Sequence, residues 1–208
     1  MEEKPNKKKL QAAETKERLY NSAKMLLAKN DFHDVTVDSI VQAAGVSKGT
    51  FYVHFESKDA LWASLLSDHV KIVDLGYRSF LDVLPDTMPA SEVMLAFVSK
   101  IADVLNDEIG YENMATIYSL QLTSFVETNA VKGYARELYA MFRSILDRGQ
   151  RRGEFAIPLS LDELTKHFVM AIRGLSYEWC IRYPNFDLKA QATEHFKILL
   201  SGIRASRP

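Results

Sequence analysis

Hydrogen-bond donors cluster between residues 47 and 58 of this sequence. Hydroxyl, ammonium and imidazole groups alternate there with small and aromatic residues, and the donors are Ser47, Lys48, Thr50, Tyr52, His54 and Lys58. Such groups donate to phosphate oxygens and to the acceptors on base edges. The sequence shows no nucleophile–base pair, glycine-rich phosphate loop or metal-ligand triad, so we expect a binding protein without a cofactor or a metal rather than an enzyme.

The first of two short helices is predicted just before this cluster. Thr36 is suited to cap a helix, and Val35 and Ile40 have the spacing of a hydrophobic staple around it. Gly45 follows the apolar positions of this helix, at the place where a left-handed residue ends a helix. The first helix should therefore span 37–44.

The second helix begins inside the cluster of donors. Ser47 is a second N-cap and predicts a helix over 48–54, while Val46 is placed to fill the angle between the two helices. Two short helices joined by a tight glycine turn form a helix-turn-helix, whose second helix enters the major groove of DNA. The residues therefore predict a DNA-binding motif with 48–54 as the recognition helix.

The segment 45–61 closely resembles the signature of tetracycline-repressor-like (TetR family) transcriptional regulators. The residues that carry the resemblance at these offsets are Phe51, Tyr52, His54, Phe55, Lys58, Asp59, Ala60 and Leu61. The resemblance is sharp over 35–61, and the rest of the chain matches in helix order and length. It implies an all-α fold with an N-terminal three-helix DNA-binding head and a C-terminal helical domain for ligand binding and dimerisation.

The resemblance also implies roles for residues of the motif. Residues that reach base edges or nearby groove atoms are Lys48, Gly49, Thr50 and His54. Residues that contact phosphates are Thr36, Ser47, Tyr52 and Lys58. The chemistry agrees, because an ammonium suits guanine O6 and N7 and a phenol donates to phosphate. Phe51 and Phe55 are expected in the core, and Val53 occupies a position where some members place a larger residue against thymine methyls.

The composition is that of an ordinary globular protein, with 208 residues, 47% of them hydrophobic and 25% charged. We expect a DNA-binding domain over 1–56 and a helical domain over 57–208. The single cysteine favours a reducing cytoplasm, and the absence of a long apolar run argues against a membrane span or a secretory signal. Four lysines, Lys4, Lys7, Lys8 and Lys9, form either a mobile basic arm for DNA or a solvated terminus.

Helical periodicity, without a strand pattern of useful length, predicts an all-α chain of about nine helices. Those outside the motif are expected at 11–28, from 58 onward, at 91–106, 112–125 and 128–152, from a capping box at Ser160 to 182, and at 187–205. Within one of them, Glu163 and His167 lie one turn apart, but they lack the further ligands that a metal site needs.

The resemblance implies that the helices after the motif bind an effector and form a dimer. Large side chains that are candidates to line an apolar pocket, although any one of them could be plain core, are Trp62, Phe97, Met114, Tyr118, Phe125, Tyr134, Phe142, His167 and Met170. Apolar stripes on the last two helices are expected to meet a second copy in a C2 homodimer. The stripes are Leu164, Phe168, Ala171, Leu175 and Trp179 in one helix and Leu188, Ala192, Leu199, Leu200 and Ile203 in the other.

The expected function is a transcriptional repressor that leaves a palindromic operator when it binds a small apolar or amphipathic ligand. In its DNA-binding form the two recognition helices should lie about 34–36 Å apart, one turn of B-DNA. The alternative is an architectural or adaptor DNA-binding protein that has a protein partner and no small-molecule inducer.

Overall fold

The computed structural model describes residues 7–30, 32, 34–123, 129–133, 135–156 and 158–204. The all-α fold is confirmed, and over these ranges the only β-type pairing is a bridge between Phe155 and Arg204. None of the helices in these ranges is both long and apolar enough to cross a membrane. The helices are α1 (Lys7–Leu27), α2 (Val37–Ala44), α3 (Lys48–His54), α4 (Lys58–Asp82), α5 (Ala90–Asp103), α6 (Tyr111–Thr123), α7 (Asn129–Lys132), α8 (Glu137–Arg151), α9 (Leu161–Arg182) and α10 (Leu188–Ile203).

The described residues divide into two compact units. The first unit contains the described residues up to 69 together with 120–123. The second unit contains 70–119 and the described residues from 129 onward. Each unit has its own buried core.

The core of the first unit is built by apolar side chains from α1, α2, α3 and α4. α1 supplies Leu19 and Ala23, which lie one turn apart, and α2, α3 and α4 supply Ile40, Phe51 and Leu61. All five are buried almost completely. Burial of apolar surface is the main favourable term in folding, so this core fixes α3 against the rest of the unit.

The caps predicted around α2 and α3 are confirmed. The Thr36 hydroxyl accepts from the Ser39 N–H at 3.1 Å, and the Ser39 hydroxyl oxygen accepts from the Thr36 N–H at 3.0 Å, which makes a capping box. Gly45 ends α2 with φ of 65°, a left-handed conformation that favours glycine. The Ser47 hydroxyl accepts from the Thr50 N–H at 3.1 Å and caps α3.

A chain of aromatic rings runs through the core of the second unit. The ring of Phe97 in α5 lies 5.8 Å from that of Tyr77 and 5.1 Å from that of Phe142 in α8. Phe196 of α10 continues the chain, 6.2 Å from Phe142 and 5.6 Å from Phe168 of α9. The helices of this unit are therefore held together by side chains from distant parts of the sequence.

The single helix predicted over 128–152 is wrong, because the chain breaks between α7 and α8. Arg136 has an extended backbone with ψ of 141°, and its guanidinium makes two parallel contacts with the Asp74 carboxylate of α4, at 2.7 and 3.0 Å. Both side chains are largely buried. This buried ion pair holds Arg136 outside the helix, and its partner lies 62 residues away in the sequence.

Two other helix ends differ from the prediction. α1 begins at Lys7, so Lys8 and Lys9 lie in its first turn rather than in a mobile arm, while Lys4 lies outside the described residues. α5 ends at Asp103 and continues as a π-helical segment, Val104–Ile109, before Gly110 reverses the chain with φ of 81°. A pattern of apolar residues does not distinguish this wider turn from an α-helix.

The two apolar stripes predicted for the dimer interface are largely buried inside the protomer. Leu164, Phe168 and Trp179 of α9 are each about 2% exposed. On α10, Leu188, Ala192, Leu200 and Ile203 are buried as well, whereas Ala171, Leu175 and Leu199 are partly exposed. Most of these side chains therefore fill the core of the second unit, so a second copy would have to meet α9 and α10 mainly through other residues, and the dimer through these two helices stays a prediction.

Candidate nucleic-acid interface

The recognition helix α3 turns one face to the core and the opposite face to solvent. Successive residues of an α-helix are about 100° apart, so Phe51, which is fully buried, places Gly49 and Val53 on the outer face. Val53 is 79% exposed and Tyr52 beside it is 52% exposed. An outer face that carries a glycine, a β-branched residue and a phenol has the dimensions and chemistry to enter a major groove.

Lys48 lies at one edge of this outer face and is joined to α2. Its ammonium contacts both carboxylate oxygens of Asp38, at 2.9 and 3.1 Å, and both side chains are exposed. The hydrogen bond and the charge of Asp38 raise the pKa of Lys48, so the side chain is fully charged at neutral pH. Because the pair is exposed, a base or a phosphate can replace the carboxylate at little cost.

Thr50 and His54 lie at the other edge of α3. They line an open groove whose far wall is α1, with Gln11, Ala12, Glu14, Thr15 and Arg18. The Thr50 hydroxyl is 2.8 Å from the Ser47 hydroxyl. The two edges of the recognition helix therefore face different neighbours, α2 beside Lys48 and α1 beside Thr50 and His54.

The residues predicted to contact phosphate differ in their surroundings. The hydroxyls of Thr36 and Ser47 cap helices, as described above, and Tyr52 is exposed. The Lys58 ammonium donates to the Phe32 carbonyl at 2.8 Å and lies 4.2 Å from the centre of the Phe32 ring. A phosphate at Lys58 would have to compete with this internal contact, so we expect Tyr52 to contribute more than Lys58.

Residues 19–65, which include α2 and α3, match the model for bacterial regulatory proteins of the tetR family. Two known proteins are similar over most of this chain. An uncharacterized HTH-type transcriptional regulator of Bacillus subtilis, YdgC, is 25% identical over 94% of this chain and 95% of its own length. The HTH-type transcriptional repressor BepR of Brucella suis is 22% identical over 95% of both chains. The DNA-binding region of this chain, residues 19–65, therefore belongs to the TetR family.

A solved structure shows that the family likeness extends to the whole fold. The transcriptional regulator FadR of Bacillus subtilis, in complex with stearoyl-CoA, has 22% sequence identity and a TM-score of 0.67, and the likeness covers 90% of this chain and 98% of FadR. This chain is a helix-turn-helix DNA-binding transcription regulator with a C-terminal helical domain. The resemblance inferred from segment 45–61 is confirmed.

The residues predicted to line an effector pocket lie in several different environments. Trp62 packs against Phe32 in the first unit, whereas Phe97 and Phe142 pack against each other in the core of the second. Met114 is buried, and the Tyr118 hydroxyl donates to the Arg173 carbonyl at 3.3 Å. Residues of the set that are exposed on α9 are His167 and Met170, and those outside the described residues are Phe125 and Tyr134. The effector-binding set remains a prediction.

Two residues on the DNA-binding surface were not assigned a role from the sequence. Val53 has no packing role, since its side chain is among the most exposed apolar groups of the described chain. A β-branched residue in the middle of a recognition helix is the signal that identifies it. Asp38 forms an ion pair with the ammonium of Lys48. The two residues are ten positions apart, and no sequence pattern indicates their contact.

Proposed function

We propose that this TetR-family regulator is a homodimeric repressor that binds a palindromic operator through α3 of each protomer and leaves it when a small amphipathic molecule binds in the second unit. The observation that carries the DNA-binding part is the outer face of α3. Phe51 anchors the helix in the core, while Gly49, Tyr52 and Val53 are exposed to solvent. This combination is needed for contact with DNA and has no use in the core.

The contacts to DNA fall into two classes under this proposal. Lys48, Gly49, Thr50 and Val53 contact base edges, and the Val53 methyls suit the methyl group of thymine. Tyr52, with Thr36 and Ser47 at the helix starts, contacts phosphates. His54 lies at the edge of α3 that faces α1, where it can contact either a base edge or a phosphate.

The two classes are separated by substitution. Lys48→Ala should reduce the preference for one base pair in each half-site by about tenfold, because a good base contact supplies discrimination of that order. Tyr52→Phe, which keeps the ring and removes only the hydroxyl, should weaken binding to all sequences alike. Gel shifts on a duplex selected from a random pool, and on its single-base variants, measure both effects. Equal behaviour of the two variants would contradict the division.

A second exposed face supports the homodimer. On α9, Met170, Gly174, Tyr177 and Ile181 follow one another at i, i+4, i+7 and i+11, and the three with large side chains are 42–58% exposed. On α10, Ile198 is 62% exposed. An apolar row of this kind on two packed helices is typical of an interface, and Gly174 permits a close approach of backbones. A C2 axis through this face pairs each row with its own copy.

Light scattering tests the dimer. The wild-type protein should have twice the mass of the 23.6 kDa chain. Ile181→Glu introduces a charge into the proposed interface and should give a monomer. Ile72→Glu is the matched control, since Ile72 is similarly exposed, at 65%, but lies on α4. A monomeric wild type, or dissociation by Ile72→Glu and not by Ile181→Glu, would exclude this interface.

The effector part of the proposal is supported by the relative that was solved with a ligand. FadR of Bacillus subtilis holds stearoyl-CoA, an amphipathic molecule, and its fold extends over both units of this chain. Ligand binding releases DNA only if the ligand prefers the form whose recognition helices are not one DNA turn apart. The second unit offers both apolar side chains and half-buried polar groups such as Tyr118, whose pKa is raised to about 12 by loss of solvent contact.

Native mass spectrometry of the purified protein should reveal a co-purified effector. Stearoyl-CoA serves as the first added probe, with coenzyme A alone as the control for the polar part. Release of the selected duplex by an acyl chain of suitable length supports the proposal. A protein that keeps its duplex with every co-purified or added small molecule would favour the adaptor alternative, in which a protein partner replaces the inducer.

A further inference from the structure

The α1 wall of the open groove between α1 and α3 is not used by the contacts assigned so far. Its walls are Gln11, Ala12, Glu14, Thr15 and Arg18 from α1 and Thr50 and His54 from α3. All of these side chains are exposed or partly exposed, and the groove is polar. It runs directly beside the predicted base-contacting face.

We infer that this groove is a second phosphate-binding site, in which Arg18 of α1, together with His54 of α3, contacts the DNA strand opposite the one contacted by Tyr52. The inference rests on the proposed operator binding through α3. It adds a residue, Arg18, to which the helix-turn-helix motif assigns no role, because Arg18 lies in α1, outside the motif.

The angular order of the side chains on α3 carries the inference. With about 100° per residue, Gly49 and Val53 point away from the buried Phe51. Lys48 and Tyr52 then lie on one side of this outer face, and Thr50 and His54 lie on the other. The contacts agree with this order, because Lys48 reaches Asp38 of α2 and Thr50 and His54 line the groove with α1.

The two sides of α3 should meet different DNA strands because of the shape of the major groove. A major groove about 12 Å wide is bounded by one sugar–phosphate backbone on each side. When Gly49 and Val53 face the bases, the Tyr52 side meets one backbone and the His54 side meets the other. The first wall beyond His54 is α1, and Arg18 is the cation in the lining of the groove.

The chemistry of the lining fits a phosphodiester. A guanidinium donates two parallel hydrogen bonds to phosphate oxygens, and the Gln11 amide and Thr50 hydroxyl are neutral donors beside it. Glu14 is the opposing charge in the same lining. An anion in the groove should therefore be attracted by Arg18 and repelled by Glu14, so the two substitutions should change affinity in opposite directions.

The experiment measures binding of a duplex selected from a random pool by the wild-type protein, over a range of salt concentrations. Each phosphate contact contributes a slope of about −0.9 to the plot of log K against log salt. Arg18→Gln should flatten this slope by about 0.9 per protomer, which corresponds to a ratio of affinities that grows about threefold per protomer between 200 and 50 mM salt. Glu14→Gln should strengthen binding.

Lys24→Gln is the matched control, because Lys24 is an exposed cation of α1 that is not in the lining of the groove. If Arg18→Gln and Lys24→Gln change the slope equally, only net charge matters and the site is excluded. If Tyr52→Phe weakens binding while Arg18→Gln does not, the second site fails and the proposed function stands. If Tyr52→Phe and Lys48→Ala also leave binding unchanged, the use of α3 fails with it.

A scan of uncharged methylphosphonates along both strands of the same duplex locates the contact. A methylphosphonate at one position should weaken DNA binding by the wild-type protein and should not weaken binding by Arg18→Gln any further. A different substitution should behave in this way toward Tyr52→Phe, and the two should lie on opposite strands of one half-site. The inference would be overturned if the two coupled phosphates lay on the same strand, or if no phosphate were coupled to Arg18.

Discussion

The two units of this regulator differ in how far apart in sequence their decisive contacts lie. In the first unit, Thr36 bonds to Ser39 and Ser47 to Thr50, each three residues away, and Lys48 pairs with Asp38 ten residues away. In the second unit, Arg136 pairs with Asp74 across 62 residues. Local contacts thus cap the two helices of the DNA-binding motif, whereas a distant contact holds the residue before α8 outside the helix in the second unit.

The same contrast holds for contacts between the loops of the second unit. Arg148 of α8 and Arg152, which follows its last residue, donate to the Asp86 carbonyl at 3.0 and 2.6 Å. The Glu154 carboxylate accepts from the Ala90 N–H at the start of α5, at 2.7 Å. These pairs are more than sixty residues apart. The start of α5 is therefore fixed by the end of α8 rather than by a cap of its own.

The largest expected difference in stability is between variants that break the buried Arg136–Asp74 pair and the exposed Lys48–Asp38 pair. Arg136→Leu leaves the Asp74 carboxylate buried without its partner, which should cost about 3–5 kcal/mol of the free energy of unfolding. Asp38→Asn breaks an exposed pair and should leave the melting temperature unchanged while it frees Lys48 for DNA. Thermal unfolding measures both. Equal destabilisation by the two substitutions would remove the contrast between local and distant contacts.

Substitutions of two glycines, one in each unit, should cause smaller losses of stability. Gly45→Ala should cost about 1–2 kcal/mol, because its φ of 65° is left-handed. Gly149→Ala should cost about 1–3 kcal/mol for a different reason, since the new Cβ would clash with the Phe155 ring. Chemical denaturation measures both losses. Phe155→Leu should reduce the added cost of Gly149→Ala and leave that of Gly45→Ala unchanged, and a failure of this rescue would contradict the packing explanation.

The two capping boxes give a third, smaller comparison. Thr36→Ala in the first unit and Ser160→Ala in the second should each cost about 1 kcal/mol, the usual value of an N-cap. The Ser160 hydroxyl accepts from the Glu163 N–H at 3.3 Å, and the Glu163 carboxylate accepts from the Ser160 N–H at 3.0 Å. Because both boxes are local, they should behave alike in denaturation at neutral pH, and a several-fold difference would contradict that equivalence.

The pH dependence of these two boxes should differ, although by the least of these effects. Hydrogen bonds from the Ser160 hydroxyl and backbone N–H lower the pKa of Glu163 below the usual value of a glutamate, 4.5. Stabilisation by the Glu163 charge is therefore complete above about pH 4.5 and is lost as the pH falls through the lowered pKa. The difference in melting temperature between wild type and Glu163→Gln should disappear at low pH. The loss caused by Thr36→Ala should be constant, since its box has no titrating group, and a matching pH dependence would count against this account.

The parts of the fold that the sequence predicts are those with local causes. The bounds of α2 and α3 follow from Thr36, Gly45 and Ser47 and are confirmed, because each acts within a few residues. The break before α8 depends on Asp74 in another helix, and no pattern around Arg136 reveals it. The burial of the α9 and α10 stripes has the same cause, since a periodic apolar row does not indicate whether the core or a second copy covers it.

The candidate site shows the same limit. The burial of Phe51 and Phe55 was predictable from their place in the motif and is confirmed. The position of the Lys48 ammonium on Asp38, the contact of Lys58 with Phe32 and the groove beside α1 were not, because each joins side chains from different helices or loops. The sequence therefore predicts which hydrogen-bond donors the site contains, but not how they are arranged.

The central claim is that the outer face of α3 contacts base pairs in two symmetric half-sites. Selection from a random DNA pool, carried out in parallel with the wild type, Val53→Ala and Tyr52→Phe, tests it most directly. The wild type should select an inverted repeat with half-site centres about 34–36 Å apart. Val53→Ala should lose a preference for thymine at one position of each half-site, and Tyr52→Phe should select the same repeat with lower affinity. A selected sequence without two-fold symmetry, or an identical repeat from Val53→Ala, would contradict the claim.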